Sequence, residues 1–363
     1  MPDAQIIPMP SAGDPDGSGD AGRAPQALSP SKAARLVGNT GPQPARPSAG
    51  AHRAARAGAV PVDLSFDLPF DLPFDVEALV ALLPDDLAER AQALWAFVQQ
   101  RMAGDYAVDE FGFDPELTET VLMALVRPLY RSWFRVEASG LEHVPDVGGA
   151  LVVANHSGTV AFDSVMTQVA LLDDHPARRH LRMLGANLVF QTPFLGELAR
   201  KAGHTLACNP DAERLLSHGE IVGVWPEGFK GIGKPFSDRY KLQRFGRGGF
   251  VAAALRTRTP IIPTAIVGAE EIYPMIGNAK TVARLLGLPY FPITPTFPWL
   301  GPLGMVPLPS KWFIHFGEPI HTEDFPEGAA DDPMLVFNLT DQVREQIQQS
   351  LYRLLMKRPS VFG

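Results

Sequence analysis

The sequence predicts an α/β fold, a largely parallel mixed sheet flanked by helices, with amphipathic helices on its N-terminal side. Three observations carry that expectation. From Phe134 onward, short β-rich runs alternate with helical ones, the order that builds parallel strands with helices packed on the sheet faces. The 363 residues are 45% apolar and 20% charged, an ordinary balance for a chain that buries a core. No internal repeat of roughly 20–50 residues occurs, which sets solenoids and propellers aside.

Residues 1–60 come first: 31 of them are Ala, Pro or Gly and none is Phe, Trp or Tyr. Such a stretch cannot bury enough apolar area to offset its ordering entropy and reads as a disordered tail. Residues 61–133 hold a strap and two helices. The strap is SFDLPFDLPFDV, where Phe66, Phe70 and Phe74 alternate with Asp and Pro. Pro84-Asp85-Asp86 then opens a helix with Leu87, Ala91, Leu94, Val98 and Met102 at helical spacing. Asp114-Pro115-Glu116 opens another, with Leu117, Val121, Leu125 and Leu129 on one face. Both are amphipathic, suited either to docking on a core or to lying in a membrane interface.

Residues 134–363 read as one domain. Strands are expected at FRVEAS, GALVVAN, HLRML, HTLAC, IVGVW, PIIPTAIV and KWFIHFG. Helices are expected near Phe162 to Leu172, from Thr192-Pro193 to Gly203, from Asn209-Pro210 to Gly219, near Gly248 to Arg256, and from Asp332-Pro333 to about Met356.

Composition narrows the function. The formal charge of −8 disfavours a basic nucleic-acid binder, so no nucleic-acid partner is expected. The one cysteine, Cys208, allows neither an intramolecular disulfide nor a multi-thiolate metal site and fits a reducing cytoplasm. No basic n-region followed by an apolar core opens the chain, so no secretion signal is read. No metal site is expected either, because His156, Asp163, His175 and His180 lack ligand spacing.

In an open α/β sheet, ligands bind beyond the carboxyl ends of the strands. Four such junctions stand out: Asn155-His156-Ser157-Gly158 running on to Asp163, Asn209-Pro210, Pro226-Glu227-Gly228-Phe229-Lys230, and Pro260-Ile261-Ile262-Pro263. A histidine at a strand end with an acid a few residues on suits acyl or proton transfer, which needs a near-neutral base oriented by a carboxylate; a structural histidine is the other reading. Were the stretch helical, His156 and Asp163 would lie about 10 Å apart along the axis, so contact requires a non-helical loop at Ser157-Gly158. There is no G-x-S-x-G elbow, and Cys208 falls in an apolar strand, so direct transfer is favoured over a covalent intermediate.

Together these junctions resemble the glycerolipid acyltransferase family, the lysophosphatidate acyltransferase-like group, from about Arg135 to Glu270 and more loosely to the C-terminus. The family's first block, Asn-His-x4-Asp, is matched by Asn155, His156 and Asp163, here with six intervening residues. Pro226, Glu227 and Gly228 match its third block, and Ile261, Ile262 and Pro263 its fourth. The second block usually supplies an arginine for the acceptor phosphate; here that strand end reads Leu206-Ala207-Cys208-Asn209, without one. The resemblance implies a glycerolipid acceptor esterified from acyl-CoA or acyl carrier protein, with no further cofactor. His156 would be the general base and Asp163 its partner. Asn155, Pro226, Glu227 and Gly228 would belong to the substrate site. The acceptor implied is a lysophospholipid such as lysophosphatidate, with a neutral mono- or diacylglycerol as the alternative because the arginine is missing.

Past Glu227 a basic stretch holds Lys230, Lys234, Arg239, Lys241, Arg244 and Arg247 against Asp238 alone. Lys230, Lys234, Arg244 and Arg247 are expected to meet substrate phosphates or anionic lipid, unless the loop is merely solvated. Leu285 to Ser310 then runs 26 residues without a charge, but seven prolines forbid a spanning helix. It would either dip Tyr290, Phe291, Phe297 and Trp299 into a membrane interface or cover an acyl tunnel. The expected place is therefore the cytoplasmic membrane surface, as a peripheral enzyme. A lipid hydrolase and a non-catalytic lipid-binding module are the readings from other classes.

Overall fold

The computed structural model describes residues 85–362. The tail at 1–60 and the strap of Phe66, Phe70 and Phe74 lie outside the described residues. Helix α1 (Asp85–Met102) forms where expected. Along the expected stripe, however, Leu94 and Met102 face solvent, and it is Phe97 that is buried.

The second N-terminal helix runs from Pro115 to Trp133 and is interrupted by π-turns at Thr118–Leu122 and Leu129–Trp133. A π-turn takes one extra residue and rotates everything after it. The core-facing stripe therefore becomes Leu122, Val126 and Leu129, with Met123 and Tyr130 buried beside them, and Leu125 is 71% exposed. The expected face of Val121 and Leu125 is thus displaced.

The sheet that follows has strands β1 (Glu137–Ser139), β2 (Ala150–Ala154), β3 (Leu181–Gly185), β4 (Thr205–Leu206), β5 (Ile221–Val224) and β6 (Ile261–Val267). A separate antiparallel pair, β7 (Gly277–Asn278) with β8 (Pro292–Ile293), precedes β9 (Phe313–Phe316). The main sheet is ordered β1-β9-β6-β2-β5-β3-β4. From β6 to β4 all neighbours are parallel; β9 joins β6 antiparallel and carries β1 parallel to itself. This is the largely parallel mixed sheet that the alternation predicts. HTLAC forms only the short edge strand β4, and Cys208 caps the next helix, where burial pushes its thiol up.

Helices α2 (Phe162–Val169), α3 (Asn209–Ser217), α4 (Phe229–Ile232), α5 (Gly249–Thr257) and α6 (Pro333–Lys357) complete the layers. Side chains alternate across β2: Val152 and Ala154 enter a core with Met166 and Val169 of α2, Phe134 and Trp312, whereas Leu151 and Val153 meet Leu215 of α3, Val251 of α5 and Val343 and Ile347 of α6. Both faces are covered, and β2 and β6 are accordingly buried at every position, with Thr264 the one polar side chain between them. Among the described residues no helix is long and apolar enough to cross a membrane.

Candidate active site

The central strands β2, β5 and β6 deliver three junctions to one edge of the sheet. Asn155, just past β2, is fully buried, and its amide is used at both ends: Nδ2 donates to Ile266 O (3.0 Å) and Oδ1 accepts from Ile266 N (2.7 Å). It rivets β2 to β6. Both ends of the amide expected in the substrate site are thus engaged within the sheet.

The chain then leaves helical conformation. Gly158 has φ +94 and Thr159 φ +65, and a Cβ on Gly158 would lie 2.6 Å from Ala269 O. This loop folds back so that α2 starts at Phe162 and Asp163 returns to His156, with Nδ1 and Oδ2 2.8 Å apart. Asp163 is fully buried and also accepts from Ser157 N and Ser164 N, each at 2.9 Å. With the carboxylate accepting, Nδ1 carries the proton and Nε2 presents its lone pair. That nitrogen has no partner among the described residues, and the His156 side chain is 14% exposed. The Trp225 ring lies beside it, centroids 6.0 Å apart. A base held by one nitrogen and open at the other is the arrangement that removes a proton from a bound hydroxyl.

After β5, Pro226 and Glu227 form a turn closed by Gly228 N donating to Trp225 O (3.0 Å). Glu227 is buried and fully engaged: Oε1 accepts from His156 N (2.9 Å) and Oε2 from Gln243 N (2.6 Å). Lys234 is buried too, its Nζ 3.7 Å from Glu227 Oε2 and 3.0 Å from Glu270 Oε1. Glu270 Oε1 accepts from Tyr240 N (3.0 Å), and burial pushes its carboxyl up to about 7 against the pull of Lys234. Glu227 and Lys234, expected to touch substrate, thus spend their charge on the frame of the site.

A Cβ on Gly228 would meet no atom within 4 Å, so within the chain it is φ +55 with ψ −143 that calls for glycine. Gly231 is held by contact instead: a Cβ there would lie 2.7 Å from His156 O and 2.9 Å from His156 Cβ. Lys230, Arg244 and Arg247 are exposed, and their side chains make no ion pair or hydrogen bond among the described residues. Ile261, Ile262 and Pro263 are buried inside β6.

The charge-free segment divides by side chain. The Tyr290 hydroxyl bonds Thr159 O in the His156 loop, and the Phe291 and Phe297 rings pack at 5.5 Å. Trp299, Leu303, Met305 and Val306 instead point into solvent, as do Leu285 and Leu286. Sequence reasoning missed Trp225, Gln243 and Glu270. Only Glu270 left a signal, an acid pair separated by two residues from a mostly apolar strand. A cavity of about 630 Å³, lined in part by Tyr240, Glu271 and Arg358, does not include the dyad.

The chain is thus an α/β protein with a His–Asp pair at the carboxyl ends of its central strands, and comparison with known proteins gives its class. The sequence pattern of the family described as Acyltransferase matches residues 135–267. The uncharacterized protein Rv0502 of Mycobacterium tuberculosis (strain ATCC 25618 / H37Rv) is 61% identical over 279 residues, covering 77% of this chain and 78% of that one. A Gallus gallus protein named DGAT1/2-independent enzyme synthesizing storage lipids is 24% identical over 191 residues, 52% of this chain and 53% of its own. Among solved structures, the 1-acyl-sn-glycerophosphate (LPA) acyltransferase PlsC from Thermotoga maritima is similar with a TM-score of 0.44 and 17% identity, over 68% of this chain and 84% of that chain. The chain belongs to the Acyltransferase family and is an acyltransferase.

Proposed function

We propose that the chain esterifies a glycerolipid hydroxyl with an acyl group taken from a thioester of coenzyme A or acyl carrier protein. The observation that carries this is the His156–Asp163 contact of 2.8 Å, which leaves Nε2 open at the sheet edge. Nε2 takes the proton of the acceptor hydroxyl as its oxygen attacks the thioester carbonyl. The C–O bond forms, the C–S bond breaks, and the departing thiolate takes the proton back from the imidazolium. Asp163 holds the ring and stabilises its charged form.

The acceptor head is uncharged in the reading we favour, a mono- or diacylglycerol. Three features support it. The strand end at 206–209 has no arginine, Lys234 is committed to Glu227 and Glu270, and Arg214 is paired with Glu110. The name of the Gallus gallus relative, an enzyme synthesizing storage lipids, points the same way. Lys230 supports the second reading, a lysophospholipid, because α4 packs on His156 and Lys230 is exposed within it. The unpaired Arg244 and Arg247 would then serve the thioester's phosphates or an anionic membrane. Trp299, Leu303 and their exposed apolar neighbours form the face that would meet lipid.

Thiol release from long-chain acyl-CoA, with monoacylglycerol, diacylglycerol or lysophosphatidate as acceptor, tests both levels. Acceptor-dependent release that His156→Ala abolishes is expected. Release without any acceptor would instead indicate a thioester hydrolase. A tenfold preference for lysophosphatidate, weakened by Lys230→Ala, would move the assignment to the phosphorylated acceptor.

A further inference from the structure

Three charged side chains are buried together beside the dyad: Glu227, Lys234 and Glu270, with Glu227 inaccessible and the other two at 4%. Charges this deep cost stability that apolar residues of similar volume would not, so what they hold in place matters. Each contact leads toward His156. Glu227 reaches one way to His156 N and the other way to Gln243 N, bridging the catalytic loop and the segment before α5. Lys234 lies between the Glu227 and Glu270 carboxylates and donates to Lys241 O (3.3 Å). Glu270, just past β6, ties the cluster to Tyr240 N. Helix α4 is enclosed between Glu227 and Lys234, with Gly231 pressed on His156.

We propose that Lys234 and Glu270 are positioning residues for the acyl transfer: Lys234 holds the Glu227 carboxylate against the His156 N–H, and Glu270 anchors Lys234. Asp163 sets the imidazole ring; this cluster sets the backbone that carries it. The inference rests on His156 being the general base. Without Lys234 no cation lies between Glu227 and Glu270, and above the pH at which Glu270 ionises their repulsion drives the Glu227 carboxylate off the His156 N–H. Without both Lys234 and the Glu270 charge, that repulsion is gone.

The test uses the full chain and compares Lys234→Met, Glu270→Gln and the double variant, with kcat, both KM values and melting temperature measured for each. Lys234→Met is expected to lower kcat about tenfold or more, with both KM values within about twofold, as for an interaction used in the chemical step. The double variant is expected to recover at least about threefold of that loss, the coupling expected of groups in one buried network. Glu270→Gln should lose less than Lys234→Met, again in kcat. A raised KM with kcat preserved would make Lys234 a substrate contact and overturn the proposal, as would a double variant no better than Lys234→Met. Where Lys234→Met does not fold, Glu270→Gln and the double variant decide by the same split, and wild-type kcat in both overturns it. His156→Ala, assayed alongside, separates the two levels: near wild-type turnover there refutes the general-base reading itself, whatever the cluster variants do.

Discussion

At the scale of single residues, the dyad and its supports make opposite demands on kinetics and stability. His156→Ala removes the base and should lower transfer by at least about two orders of magnitude at an unchanged melting temperature, within the roughly 10²–10⁴ of general-base catalysis. Asp163→Asn should be severe but milder, because Nε2 stays open while the ring loses its carboxylate. Initial rates of thiol release check both. Asn155 is the contrasting case. Asn155→Ala would orphan the N–H and C=O of Ile266 inside the sheet, at about 1–3 kcal/mol for each unsatisfied group. Urea unfolding should register that loss while kcat and KM per folded molecule stay near wild type. A KM that rose with stability intact would return Asn155 to the substrate site.

At the scale of elements, the strands and most helix boundaries were legible because they rest on local signals. Asp332 caps α6 by accepting from Met334 N (2.9 Å) and Leu335 N (3.2 Å), and Pro333 stands at its first position, both visible in sequence. The π-turns were not legible, since a rotation of the buried face follows from tertiary packing around Met123 and Tyr130 rather than from spacing. The His156–Asp163 contact was legible as a condition: it needed a loop at Gly158, and the loop is there. The Lys234 cluster was hidden, because a lysine in a run of basic residues reads as solvated and its two acids come from distant strand ends. The charge-free segment split in a way no periodicity reveals, Tyr290 inward and Trp299 outward. Its outward part makes a direct prediction. Replacing Trp299 and Leu303 together by Ser should weaken binding to anionic vesicles about tenfold or more, since each large apolar side chain buried in lipid contributes roughly 1.5–3 kcal/mol. Turnover of a short, water-soluble acyl donor should barely change. Unaltered flotation with vesicles would assign this face to something other than lipid.

At the scale of the whole molecule, the sheet sets charged groups at the edges of two apolar cores, and its response to pH follows from how they are buried. Glu270 is held up to about 7 by burial, from an ordinary 4.5, so the folded chain binds that proton more tightly than the unfolded chain. Between those values the unfolded chain gives up a proton that the folded chain keeps, so stability falls as pH rises, until about pH 7. His204 works in the opposite sense. His204 is half-buried, and burial pushes it down to about 4 from an ordinary 6.5. Below 6.5 the unfolded chain takes up a proton that the folded ring refuses, so this group's contribution rises with pH from about 4 to 6.5. The two slopes overlap and oppose each other, which flattens the wild-type profile in weak acid. Single variants should expose each slope in turn. Relative to wild type, Glu270→Gln should gain stability as pH rises from about 4.5 to 7 and level off above, and His204→Gln should lose relative stability from about 4 to 6.5. Urea midpoints measured across this range decide the matter, because contributions shared with wild type cancel in the difference. A Glu270→Gln curve parallel to wild type would mean that Lys234 keeps Glu270 ionised throughout, and the cluster would then act as a fixed ion pair with no titration near neutrality.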